Sequence, residues 1–292
     1  MYQTPFRLFT FLLICLTIPF LSMSNKSAYQ VFTGNGDVSS YEHLLKEAMR
    51  ADVILFGELH NNPICHWLQL ELTQDLHQTK GDLLILGAEM FESDNQLLVD
   101  EYLKDMISKK SFEDEARLWK NYTTDYKPLL EFAKTNKLPF VATNIPRRYA
   151  SAVFSGGMET LNRLSAEAKT YIAPLPIEID LTLPGYQAML NMGGHGAENS
   201  ENMPKAQAVK DATMAYFIGK KWNKGKQFIH YHGTYHSNNY EGIVWYLKKQ
   251  NPEIKILTIA SVEQNNIQQL EEDHQKLADF ILCIPSNMTK TH

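Results

Sequence analysis

Two short motifs of one pattern, Gly57-Glu58-Leu59-His60 and Gly233-Thr234-Tyr235-His236, each carry a glycine, two variable residues and a histidine. Each directly follows an apolar run that reads as a buried strand, Val53–Phe56 in one case and Phe228-Ile229 with Tyr231 in the other. In an open parallel sheet, ligands collect at the carboxyl ends of the strands. Two histidines delivered to that edge from distant parts of the chain point to one site. Two further junctions add polar groups there: Glu89 and Glu92 after Leu83–Leu86, and Asn144 and Arg147 after Pro139–Ala142. His60, Glu89 and His236 form a ligand set suited to a divalent metal such as zinc or manganese. Glu58, His60, Glu89, His232 and His236 also suit general acid–base work, with Arg147 holding an anionic group. The plainer alternative is structural, with Arg147 paired to Glu89 or Glu58 in an ion-pair network.

Gln207 and Asp211 stand four apart on a predicted helix and so share a face. That face either lines the site or is solvated. Tyrosines gather near the junctions, among them Tyr122, Tyr126, Tyr149, Tyr186, Tyr231, Tyr235 and Tyr240. Aromatics at an exposed sheet edge suit a large flat apolar ligand, and tyrosinate is one of the axial ligands of haem iron. Against this, most tyrosines are packing residues with a wet hydroxyl. His195, between glycines, is a candidate ligand or a loop histidine. His43, His66, His77 and His274 read as surface or helix-face residues.

Positioning such a site requires strands that end together. Ser39 or Ser40 caps a helix running to about Arg50, and Asn62-Pro63 starts another that Gly81 stops. Ser93 or Asp94 caps a third, and a fourth lies near Pro128–Asn136. The strand–helix alternation then fails over about 149–222, where helices and glycine-rich loops are expected, closing on a long helix from Met203 to Trp222. It resumes with strand Gln227–Tyr231, helix Asn239–Lys249, strand Ile254–Ile259 and an apolar tail strand Phe280–Ile284. Short apolar strands alternating with amphipathic helices predict an α/β fold: a parallel-type sheet with helices on both faces, plus a helical insertion or lid.

The first 24 residues are expected to be a secretory signal peptide. Arg7 precedes an apolar run, Leu8–Leu21, too short for a comfortable membrane span, and Ser22-Met23-Ser24 offers small residues for cleavage. Residues 25–292 then form one domain. The segment predicts export to a periplasm. Lipidation at Cys15 fits poorly, because bulky Leu13 and Ile14 precede it. A net charge of −5 gives no reason to expect nucleic acid as a partner. Cys65 and Cys283 remain after processing, and two buried thiols are favoured over a disulfide. There is no CxxC and no CxxCH, so thiolate zinc and covalent haem attachment through that motif are not expected.

Taken in order, Gly57–His60, Gly87–Phe91, Tyr126–Leu130, Asn144–Arg147, Gln207–Asp211 and Gly233–His236 resemble the ChaN-like haem-binding uptake family of the Tiki superfamily, which also includes erythromycin-esterase-like proteins. The resemblance runs from about Asp52 to Ile259. It implies an exported protein that assists haem or iron uptake, binds haem non-covalently through a tyrosine or histidine, and pairs two chains around haem. An outer-membrane haem-uptake system is the partner it implies. On that reading Glu58, His60, Arg147, Tyr149, Tyr186, Gln207, Asp211, Tyr235 and His236 are the candidates for holding haem. The wider superfamily implies the alternative, a metal-dependent hydrolase built on His60, Glu89, Arg147 and His236.

Overall fold

The computed structural model describes residues 26–192 and 201–292. The expected signal segment, Cys15 and His195 lie outside the described residues. The chain runs β1 (Gln30–Thr33), β2 (Val38–Ser39), α1 (Tyr41–Ala48), β3 (Val53–Glu58), α2 (Pro63–Lys80), β4 (Leu84–Glu92), α3 (Gln96–Leu103), α4 (Lys109–Glu115) and α5 (Lys127–Thr135). It continues β5 (Phe140–Asn144), α6 (Arg147–Gly156), α7 (Ala166–Lys169), α8 (Pro184–Met192), α9 (Asn202–Lys221), β6 (Gln227–Gly233), α10 (Ile243–Gln250), β7 (Ile256–Gln264) and β8 (Phe280–Pro285). Among the described residues no helix is long and apolar enough to cross a membrane.

The eight strands form one sheet in the order β2-β1-β8-β7-β3-β6-β4-β5. From β8 to β5 every pairing is parallel. β1 adds antiparallel to β8 and β2 antiparallel to β1. This antiparallel margin is absent from the sequence reading, because strands so short carry no usable periodicity.

Side chains alternate across the sheet, as the strand period of two requires. Ile54 and Phe56 of β3 join the core under α1, α2 and α5, with Leu68, Leu72, Leu76, Leu129 and Leu130. Val53 and Leu55 face the other way, onto Ala212, Met214 and Ile218 of α9 and Val244 and Leu247 of α10. Helices therefore cover both faces. Two local caps read from sequence hold: the Ser40 side chain accepts from the His43 N–H, and the Asn62 side chain accepts from the Ile64 N–H with Pro63 at the first turn. The expected Ser93 or Asp94 cap does not form: α3 starts behind Asn95 with no side-chain cap, because Ser93 donates to the Tyr171 carbonyl and Asp94 pairs with Arg117 and Arg148. Gly81, at φ 51, ends α2.

The sheet order creates the site. β3 sits between β7 and β6, and the register sets Gly57 opposite His232 and Glu58 opposite Gly233. The chain leaves β3 through α2 on one face and travels to β4. It leaves β6 through α10 on the other face and travels to β7. The carboxyl ends of β3 and β6 thus flank a topological switch point, where a crevice opens.

Candidate site at the carboxyl edge of the sheet

The strands run further than their apolar cores suggest. β3 continues to Glu58 and β4 to Glu92, so Glu58 and Glu89 are strand residues with buried side chains. A buried carboxylate requires partners. Glu58 has three donors: His60 Nδ1 at 2.8 Å, the Tyr126 hydroxyl at 2.8 Å and Gln69 Nε2 at 2.6 Å. Behind them, His66 Nε2 lies 3.1 Å from the His60 carbonyl and 3.4 Å from Asp125 Oδ2. His66 is buried, contrary to its reading as a surface residue, because α2 turns it inward between Glu58 and Asp125.

His60 is thereby a histidine–carboxylate dyad. Its Nδ1–H is held by Glu58, and its side chain keeps 40% exposure. Burial works against its charged form, but the Glu58 hydrogen bond and the nearby Glu89 charge raise its pKa on balance. The ring packs edge-on against Trp119. Its Nε2 would lie 2.7 Å from a Cβ placed on Gly233, so only glycine lets β6 pass the imidazole. The glycine of the other motif has the same kind of reason. A Cβ on Gly57 would stand 2.8 Å from Thr234 Cα and 2.9 Å from the Ile259 carbonyl.

His236 forms the second centre. Its Nε2 faces Glu89 Oε1 at 3.2 Å, and its Nδ1 makes a short contact with Asp211 Oδ1. Glu89 Oε2 accepts the Gly233 backbone N–H at 2.8 Å, and Asp211 Oδ2 accepts the Tyr186 hydroxyl at 2.7 Å. The Gln207 amide lies against the same ring, 2.9 Å from Nδ1. Burial disfavours a charged imidazole, yet the two carboxylates overcome it and push His236 up to about 10. Burial likewise opposes ionised Glu89, but His236 and His60 hold its carboxyl well below the usual range. Burial pushes Asp211 up against the pull of His236. The result is a buried imidazolium clasped by carboxylates.

A third feature, inside β6, was invisible in the sequence. Thr143 donates its hydroxyl to the Ala88 carbonyl at 2.9 Å, so the His230 Nε2–H must donate to Thr143, 2.7 Å away. His230 Nδ1 then accepts from His232 Nδ1 at 3.1 Å, and His232 Nε2 accepts from the Ser237 hydroxyl at 2.9 Å. Both rings are neutral in this chain. Burial accordingly pushes His230 down to about 3 and His232 well below its usual value. His232 is therefore a buried tether for the 233–238 turn rather than an exposed acid or base.

That turn carries Tyr235, 76% exposed, on the lip of a cleft of about 410 Å³. Pro184, Tyr186 and Met189 of α8, Met203 of α9 and Leu277 supply most of its wall, with Asp211 and Glu241. The loop beyond is wound through left-handed residues, Asn239 at φ 59, Tyr240 at φ 61 and Gly242 at φ 53. Each non-glycine residue so held costs about 1–3 kcal/mol, a cost found where ligands bind. The same turn explains why α10 starts at Ile243 rather than at Asn239.

Of the expected site residues, the structure brings together Glu58, His60, Glu89, Gln207, Asp211 and His236, with Tyr186 and Tyr235 beside them. Arg147 stands apart. It is exposed at the start of α6 and makes no ion pair with Glu58 or Glu89. Arg148 and Arg117 pair with Asp94 instead, and Arg117 also holds Glu92 at 2.8 Å. Tyr149 packs with the α6 cluster, its hydroxyl accepting from Arg148 at 3.1 Å. Tyr186 is buried and donates its hydroxyl to Asp211, and burial with the Asp211 charge drives its phenol far upward. Asn144 Oδ1 is buried without a hydrogen-bond partner among the described residues. Among the described residues, too, no group of three His, Cys, Asp or Glu side chains is arranged to hold a metal ion. Sequence reasoning missed the site roles of Tyr126, Gln69, His66, Asp125 and His230. Only Tyr126 left a signal, within Tyr126–Leu130. Cys65 and Cys283 are buried free thiols.

A family model described as haem-binding uptake, Tiki superfamily, ChaN matches residues 44–247. ChaN of Campylobacter jejuni, to which haem binds cofacially, superposes with a TM-score of 0.68 at 17% identity, over 89% of this chain and 98% of that one. A Bacillus cereus protein follows at 0.52 and 11% identity, over 88% and 95% of the two chains. A succinoglycan biosynthesis protein gives 0.51 and 10%, over 84% and 90%. At these identities the likeness is one of fold. No curated protein matches the chain.

Proposed function

We propose, on the premise that this chain belongs to the haem-binding uptake (ChaN) family of the Tiki superfamily, that it is an exported protein that binds haem non-covalently and assists haem or iron uptake. The observation that carries the location is Tyr235. It is the exposed tyrosine on the lip of an apolar cleft at the carboxyl edge of the sheet, and its hydroxyl has no hydrogen-bond partner among the described residues. The cleft fits the group: its volume lies within the range of about 300–1,000 Å³ usual for cofactor sites, and its walls are chiefly apolar. Bound haem would supply a ferric centre whose hard character suits a tyrosinate.

The chain's own residues divide the work. Tyr235 would hold the iron. Met189, Met203, Pro184 and Leu277 exclude water from the ring. The Ser237–His232–His230–Thr143 chain and the Glu89–His236–Asp211 clasp fix the turn that presents Tyr235. One wall covers one side of a flat ligand, so a second copy of the chain completes the enclosure, giving a haem-bridged homodimer. Delivery to or from an outer-membrane uptake system follows from the export reading. The test is a spectral titration of wild type and Tyr235→Phe with ferric haem. Loss of the ligand-type spectrum in the variant supports the assignment. An unchanged spectrum removes Tyr235 as the ligand.

A second reading has its own support, the paired dyads Glu58–His60 and Asp211–His236 facing Glu89. In such a set the half-exposed His60, oriented by Glu58, can take and give a proton while the His236 imidazolium supplies fixed positive charge, as a hydrolase of the erythromycin-esterase type requires. The metal form of this reading makes a separate demand: stoichiometric metal in the purified protein, lost in His60→Ala. Ester hydrolysis abolished by His60→Ala would establish the acid–base form. No hydrolysis across an ester panel would remove it.

A further inference from the structure

The cleft beside Tyr235 is asymmetric in charge. Its lining holds two carboxylates, Asp211 and Glu241, and no lysine or arginine among the described residues. Neither carboxylate is free to swing away. Asp211 is committed to His236 and to the Tyr186 hydroxyl. Glu241 Oε2 accepts the Gly185 backbone N–H at 2.7 Å and so fastens α8 to the loop before α10. Burial, with the nearby Asp211 charge, raises the Glu241 pKa, as expected where negative charge is already concentrated.

Resting on the haem reading above, we propose that this wall makes the cleft selective for porphyrins that have one edge free of carboxylates, with Glu241 as the specificity-determining residue. A protoporphyrin carries both propionates on one edge, and its opposite edge bears only methyl and vinyl groups. That apolar edge matches Met189, Met203, Pro184 and Leu277. A porphyrin with carboxylates on all sides must bring one toward Glu241, which no lysine or arginine of the lining neutralises, whereas Asp211 is already paired with His236. Like charges about 6 Å apart at an effective dielectric near 20 repel by up to roughly a hundredfold in a binding constant. Salt and solvent reduce this, so tenfold is the expected order.

The experiment titrates the purified protein with ferric protoporphyrin IX and with ferric coproporphyrin, which carries four carboxylates, by Soret absorbance and tryptophan quenching. Wild type is expected to prefer the protoporphyrin at least about tenfold, with the preference shrinking as salt is raised. Glu241→Gln keeps the acceptor for Gly185 and is expected to cut that ratio several-fold. Equal affinities in wild type overturn the proposal, as does a ratio unmoved by Glu241→Gln in a folded variant. The wild-type ratio and its salt dependence need no variant, so they decide the matter even where the variant folds poorly. Failure of both porphyrins to bind stoichiometrically would defeat the haem reading itself and this proposal with it.

Discussion

Replacing His236 by alanine should destabilise the protein severely, and the loss should depend on pH. The substitution leaves Glu89 and Asp211 buried without their shared cation. Breaking a buried ion pair by removing one partner costs about 3–5 kcal/mol. Linkage gives the same order: a rise from 6.5 to about 10, at about 1.4 kcal/mol per unit, is roughly 5 kcal/mol. For a domain of this size that is on the order of 10 °C in Tm. The folded pKa of His236 lies above its unfolded one. Its stabilisation is therefore fully present below about pH 6.5 and is lost as pH rises through about 10. Glu89 acts in the opposite sense, stabilising above its ordinary 4.5 and losing that as pH falls. The gap between wild type and His236→Ala should accordingly be widest near pH 6 and shrink by more than half at pH 10. Thermal denaturation followed by circular dichroism from pH 6 to pH 10 measures it. An unchanged Tm at pH 6.5, or a gap constant up to pH 10, would refute the buried-imidazolium argument.

Other consequences can be checked on the same protein. In Glu58→Gln the raised pKa of His60 should fall, since its hydrogen-bonded charge is gone, and imidazole titration by NMR reads this directly. Gly233→Ala should push the His60 ring away from Glu58 and cost about 1–3 kcal/mol, seen as a lower Tm together with a lower His60 pKa. Cys65 and Cys283, both raised to about 12 by burial, should stay silent to a thiol reagent in the native protein and react on unfolding. Reaction at the native rate of a free thiol would contradict that burial.

What the sequence revealed, and what it withheld, follows from the range of the forces involved. The Asn62-Pro63 start of α2 and the stop at Gly81 are local events, decided within one turn, and they stand as read. The convergence of Gly57–His60 and Gly233–His236 also stands, because apolar runs marked β3 and β6 and parallel sheets gather such ends on one edge. The Gln207–Asp211 face was legible for the same reason, through the helical repeat, and both residues meet His236. The chain's partners across long separations were not legible. Tyr126 reaches Glu58 from a turn of π-helix before α5, and His66 is turned inward by a contact with Asp125 that no periodicity encodes. Arg147 misled for the converse reason. It follows a strand as a site residue should, but β5 is the edge strand, and the side chain opens to solvent while Arg148 takes the nearby carboxylate. His232 read as a junction residue just past its strand, suited to acid–base work, and is instead sealed in a hydrogen-bonded pair, since β6 runs on to Gly233 between two neighbours.

The most direct test of the central claim is a titration of the purified protein with ferric haem in the presence of excess albumin, following the Soret band and the oligomeric state together. The account predicts saturation at about one haem per chain, a tyrosinate-type spectrum that disappears in Tyr235→Phe, and pairing of chains that appears only with haem. Weak, unsaturable binding lost to albumin, with the chain unchanged in size, would contradict it.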